Sequence, residues 1–179
     1  MKEVTILGMG PSYIDLQKPF GELWAVLYQV RHCRHIDRLF CAHDWGMYDP
    51  ETMEIIQQRQ EAEGFQIIST MPPPAPIKGT PYPIEEVIAE FQTKYFRDIV
   101  CFMIALAIHE GYELIHFYGV DCRSYSTYAE EKAPTEFWCG VARGRGIQLH
   151  IASMSPLCHL LDDAGQPINL PEKEMCHKL

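Results

Sequence analysis

The sequence predicts an open α/β domain with a mostly parallel sheet and helices on both faces. Three observations predict it. Short apolar, β-rich runs alternate with stretches of helical spacing along most of the chain. The first run, Val4 to Leu7, passes without a break into Gly8-Met9-Gly10-Pro11-Ser12, so a strand buried on both faces ends in a glycine turn. A composition of 47% hydrophobic and 22% charged residues over 179 positions suits one sizeable core. The domain is placed at residues 1–161 and a weakly ordered tail at 162–179.

In chain order, residues 13–20 are too short for a helix, because Pro19 and Gly21 stop them. Residues 22–27 (ELWAVL) read as a second strand and 37–42 (DRLFCA) as a third, which opens onto His43-Asp44-Trp45. Residues 50–64 form a surface helix closed by Gly64, and 65–69 (FQIIS) a fourth strand. Proline dominates residues 71–83, which read as a wrapping loop or a plain surface connection. Helical spacing returns at 84–91 and over 95–110, where Val100, Met103, Ile104, Ala107 and Ile108 make one stripe. A strand at 114–118 runs into Gly119-Val120-Asp121. A helix at 134–145, with Pro134 in its first turn, a strand at 147–151 and one turn at 156–161 follow. Phe137 and Trp138 read as core residues, with a homo-oligomer contact as the alternative.

A net charge of −9 leaves no basic stripe for general nucleic-acid binding. No apolar run reaches membrane-span length, and the N-terminus lacks a signal-peptide layout, so a cytoplasmic location is expected. Seven scattered cysteines without a Cys-x-x-Cys fit a reducing compartment. His32-Cys33-Arg34-His35, Cys158-His159 and Cys176-His177 match no familiar zinc spacing, so no metal is expected.

In a parallel sheet, loops at the carboxyl ends of strands share one edge, where ligands bind. Gly8 to Ser12, His43-Asp44 and Gly119 to Arg123 are such loops, and together they form the candidate site. Gly8, Gly10, Pro11 and Ser12 would bring backbone amides and a helix start to a phosphate; a tight turn ending a core strand is the alternative. Asp121 could accept a ribose hydroxyl or cap the next turn. His43 is the best proton acceptor in sight, with Asp44 beside it to orient the ring, and Glu130 and Glu131 are alternatives. Lys132, Arg123, Arg143 and Arg145 are candidate phosphate partners, and Tyr125 and Tyr128 could stack a base. No Gly-x-Ser-x-Gly elbow and no Asp-x-Asp is present, so a hydrolase triad is not supported and a divalent ion is not required.

The glycine turn, the long apolar helix and the run His109 to Asp121 (HEGYELIHFYGVD) resemble small bacterial sialyltransferases of the Rossmann-like, CMP-sialic-acid-using kind. The first turn is also similar to that of 6-hydroxymethylpterin diphosphokinase-like proteins. A wider likeness, as far as Leu161, is to uncharacterised bacteriophage and prophage proteins. It includes the Trp-containing second strand, Asp37-Arg38-Leu39-Phe40 and the segment from Glu136 to Ile147. The resemblance implies a single Rossmann-like domain in which Gly8, Gly10, Pro11 and Ser12 hold a nucleotide, with Asp121 beside it. It further implies a nucleotide or nucleotide-sugar as ligand, no tightly bound cofactor, and host cytoplasm if the chain is phage-encoded. At the sialyltransferases' strand-end Asn this chain has Leu27, and at their Ser/Thr-Ser-Gly it has Asp98-Ile99-Val100. Their general-base His lies beyond Gly-Ile-Asp, where residues 122–134 contain no histidine. Two functions are therefore expected: a small glycosyltransferase-like transferase using a nucleotide-activated donor, or a catalytically inactive phage protein that sequesters or senses a nucleotide.

Overall fold

The structure, a computed structural model, describes residues 1–122 and 129–159. Arg123, Tyr125, Tyr128 and the predicted tail at 162–179 lie outside them.

Val4, Thr5 and Ile6 are each completely buried, and Leu7 nearly so, which makes β1 (Glu3–Leu7) a strand covered on both faces. It is flanked by β2 (Glu22–Val26) and β6 (Leu114–Tyr118). Outward from β2 come β3 (Arg38–Cys41), β4 (Gln66–Ser69) and a two-residue β5 (Thr80–Pro81); beyond β6 lies β7 (Gln148–Ile151). Every pair is parallel, so the sheet order is β5-β4-β3-β2-β1-β6-β7. The chain steps away from β1 in one direction and then returns to its other side. The β1/β6 boundary is therefore the switch point where such folds open a crevice.

Alternate side chains feed two cores. Val4, Ile6, Trp24, Phe40, Ile115 and Phe117 face α2 (Ile84–Phe91), α3 (Ile99–His109) and α4 (Ala129–Gly144). Leu7, Leu23, Ala25, Leu39 and Ile67 face the short turn Leu27–Arg31 and α1 (Pro50–Glu63). Helix α1 is capped at both ends. Asp49 accepts from the Thr52 amide at 2.9 Å, and Gly64 closes the helix at φ 72° with its amide on the Gln60 carbonyl.

The larger differences from the sequence reading have local causes. Helix α3 begins at Ile99 rather than at residue 95, because Asp98 caps it through the Cys101 amide at 2.8 Å. The preceding Tyr95 carbonyl is taken by the Trp138 indole at 2.8 Å. Helix α4 begins at Ala129, five residues early, with Glu130 and Glu131 in its first turn, where acidic side chains suit the helix dipole. Pro134 thus stands inside the helix rather than in its first turn. The proline-rich stretch contributes β5, an edge position where a missing N–H is tolerated. Residues 11–15 form a single 3-10 turn.

Trp138 is fully buried, stacked on Phe96 at 5.0 Å and edge-on to Phe91 at 5.1 Å, whereas Phe137 beside it is 40% exposed. Among the described residues no helix is long and apolar enough to cross a membrane. Trp138→Ala removes this packing and leaves a cavity, so denaturant unfolding should show a loss of about 3–5 kcal/mol.

Candidate functional site

The glycine turn and the loop after β6 are joined backbone to backbone. The Gly8 amide donates to the Tyr118 carbonyl at 2.9 Å and the Gly10 amide to the Gly119 carbonyl at 2.7 Å. A Cβ on Gly8 would lie 2.4 Å from the Gly119 oxygen, and one on Gly10 would lie 2.7 Å from the Asp121 carboxylate. Gly119 itself sits at φ 67°, a left-handed conformation suited to glycine. The two glycine amides expected to meet an anion are therefore already bonded to the neighbouring loop. What the glycines provide is close approach.

Ser12 and Asp121 complete the joint, and both are buried. Asp121 accepts from the Ser12 amide at 3.0 Å and from the Ser12 hydroxyl, while the Gly119 amide donates to that hydroxyl at 2.9 Å. The Gln29 side chain donates to the Gly8 carbonyl at 2.6 Å, which brings in the segment after β2. From below, the Ser155 hydroxyl donates to the Val120 carbonyl at 2.8 Å. These bonds fix the walls of a cleft of about 500 Å³ above the β1/β6 boundary.

The cleft is lined by Gly8, Met9, Gly10 and Pro11 after β1, Val26 to Tyr28 after β2, and Ala42 and His43 after β3. Gly119 to Cys122, the α3 start Asp98-Ile99-Val100, Met47, Tyr48 and Glu131 complete it. Of the predicted site residues, Gly8, Gly10, Pro11, Asp121 and His43 share this space, and Ser12 is buried behind it. Asp44 is not brought to the His43 ring. Its carboxylate accepts from the Gly46 amide at 2.8 Å and caps the one-turn helix Trp45–Met47. Leu27 and Asp98 to Val100, the points of departure from the sialyltransferase pattern, all face the cleft.

The predicted phosphate partners are directed elsewhere. Lys132 lies 3.7 Å from Glu136, Arg145 pairs with Glu90 and covers the Phe91 ring, and Arg143 does not line the cleft. Arg123 is outside the described residues. Among the described residues no group of three or more potential ligands could hold a metal ion.

Several cleft residues were not singled out from the sequence. Tyr28 meets Tyr48 edge-on at 5.3 Å, and together they offer an aromatic wall at the mouth. Burial pushes the Tyr48 phenol up, so it stays a hydrogen-bond donor. The Cys122 thiol is pushed up to about 12 by burial and by the charge of Asp98, and so stays protonated at neutral pH. Asp98 is 5% exposed; it accepts from the Cys101 amide and, at 3.1 Å, from the Thr135 hydroxyl. Burial, with Asp98 adding like charge and Arg97 opposing, raises the Glu131 carboxyl from its ordinary 4.5 to about 7. The first-turn amides of α3 at Ile99 and Val100 have no partner within the helix, as at any helix start. Glu131, named from the sequence only as an alternative to His43, lines the cleft because α4 starts at Ala129.

No protein-family model matches the chain, and no curated protein matches it. Solved structures do share its fold. The sialyltransferase CstII from Campylobacter jejuni in complex with CMP-3FNeuAc is similar with a TM-score of 0.59 and 16% identity, over 97% of this chain and 96% of that one. The sialyltransferase CST-II in complex with a trisaccharide acceptor and CMP gives the same values. The monofunctional α-2,3-sialyltransferase Cst-I from Campylobacter jejuni gives 0.57 and 13%, over 85% of this chain and 76% of that one. At these identities the likeness establishes the Rossmann-like α/β fold.

Gly8→Ala should disrupt the joint between the β1 and β6 loops, because its methyl group meets a backbone oxygen that cannot swing away. Denaturant unfolding is expected to report a loss of about 1–3 kcal/mol, the usual cost of overpacking.

Proposed function

We propose that the cleft binds a nucleotide-activated donor and that the protein is a small glycosyltransferase-like transferase. The observation that carries this reading is the cleft's position at the switch point of an all-parallel sheet, bounded by the glycine turn and the start of α3. Helix α3 is long enough for its N-terminus to contribute partial positive charge. The aromatic wall of Tyr28 and Tyr48 suits a nucleobase face, and the buried apolar floor suits a sugar's edge. Structures sharing the fold are in complex with CMP or a CMP-sugar analogue, which makes a cytidine nucleotide the first ligand to test and favours a transferase over a binder without turnover.

In this reading Gly8, Gly10, Pro11 and Ser12 shape the donor side, and Asp121 holds that wall in place. His43, exposed at the rim, is the proton acceptor for the acceptor molecule's hydroxyl. The hydroxyl oxygen bonds to the sugar's anomeric carbon and its proton passes to His43. The bond from that carbon to the phosphate oxygen breaks, and its electron pair leaves on the phosphate. The protein would work as a cytoplasmic enzyme on a small-molecule ligand.

Thermal-shift measurements with CMP, UDP, GDP, ADP and their sugar conjugates test the reading. A ligand that binds the folded state must raise its melting temperature. A rise with a cytidine nucleotide, reduced in Tyr28→Ala, and release of CMP from a CMP-sugar are expected. Absence of a shift with every nucleotide contradicts the cleft's assignment, and binding without release contradicts the transferase.

A further inference from the structure

A nucleotide brings phosphate charge, yet the cleft presents carboxylates. Among the described lining residues there is no lysine or arginine; the acidic ones are Asp98, Asp121 and Glu131. Two of these are structural. Asp121 is bonded to Ser12, and Asp98 to the Cys101 amide and the Thr135 hydroxyl, and each is at most 5% exposed. Their oxygens are held by donors that would be stranded if the carboxylates turned away. Neither can leave the cleft to make room for a phosphate.

Glu131 is different in kind. It stands in the first turn of α4 and faces the cleft beside Asp98, so two helix starts bring two carboxylates together. Among the described residues, the groups around it come from three elements and its own helix. From the α3 side come Asp98 and Arg97, the latter exposed and paired with Glu130 at 2.9 Å. From the β6 loop come Asp121 and the protonated Cys122, and from the β3 loop His43 at the rim. On its own helix, Glu130 is paired with Arg97 and Lys132 is turned to Glu136. Glu131 and the buried Asp98 line the same cleft, so a phosphate bound there meets both carboxylates, and burial with the Asp98 charge already raises the Glu131 carboxyl to about 7.

We infer that Glu131 takes up a proton when a nucleoside monophosphate enters the cleft, and that it faces the phosphate as a neutral hydrogen-bond donor. The inference rests on the nucleotide reading and deepens it. Each negative charge disfavours its neighbour's ionised form, so bound phosphate raises the Glu131 carboxyl further above the value that burial and Asp98 already give it. The sign follows from linkage. Binding favours protonated Glu131, so affinity is full where the free protein already holds the proton and falls as pH rises above about 7. The phosphate's own second ionisation, near pH 6, acts in the same direction and must be separated.

Isothermal titration of the purified full chain with CMP at pH 6, 7 and 8.5, in two buffers of different ionisation heat, makes that separation. For the wild type, Kd should weaken by roughly tenfold between pH 7 and 8.5, with net proton uptake on binding. Glu131→Gln keeps a donor without a titratable group. It should bind at pH 8.5 more tightly than the wild type and show only the phosphate's own pH dependence. Glu131→Ala should show the same remaining pH dependence with weaker binding than Glu131→Gln, since the charge is gone and the donor with it. The same pH dependence and proton uptake in wild type and Glu131→Gln would overturn the inference and leave the nucleotide site standing. So would loss of CMP binding in Glu131→Gln at every pH with its melting temperature intact. No binding heat for the wild type at pH 6, where affinity should be highest, would overturn both.

Discussion

The bond between Ser12 and Asp121 holds the site together. One serine side chain and its amide meet one carboxylate, and that contact ties the loop after β1 to the loop after β6 across 109 residues of sequence. It is buried, so losing the Asp121 carboxylate would strand the Ser12 amide and hydroxyl as donors, at the cost of desolvation. Around it the glycines allow two backbones to touch, and Gln29 and Ser155 extend the lattice to the neighbouring segments. The cleft exists because these loops cannot drift apart.

This changes the meaning of the opening motif. A strand entering Gly-x-Gly suggests amides presented to a phosphate, and here those of Gly8 and Gly10 are donated to Tyr118 and Gly119 instead. The motif therefore builds the wall rather than the anion contacts. The start of α3 remains as a source of partial positive charge, but Asp98 caps it with a full negative one. The electrostatics of the cleft follow from that residue, which both organises a buried helix and raises the carboxyl of Glu131.

Much of this was legible in the sequence because periodicity and turn chemistry are local. The run Leu114–Tyr118 and the helix Ile84–Phe91 coincide with their predicted limits, and α1 starts at Pro50 and is closed by Gly64 as read. Alternation of strands and helices implied a parallel sheet, which placed the loops of Gly8, His43 and Asp121 on one edge. What local rules missed depends on tertiary contacts. Asp44 turned to its own backbone, where a short acidic side chain readily accepts from the amide two residues on. Residues 95–98 have helical composition, yet Trp138 claims the Tyr95 carbonyl and Asp98 starts the helix later. Glu131 became a cleft residue only because α4 starts before Pro134.

The most direct test of the nucleotide cleft is a backbone amide NMR titration of the labelled protein with CMP. The account predicts that the largest shifts fall on Met9, Gly10, Tyr28, His43, Ile99, Val100 and Asp121, which converge on the β1/β6 edge. Shifts gathered instead on Gln17, His32, Cys33 and His35, which line a separate cavity of about 350 Å³, would place the ligand elsewhere and contradict it.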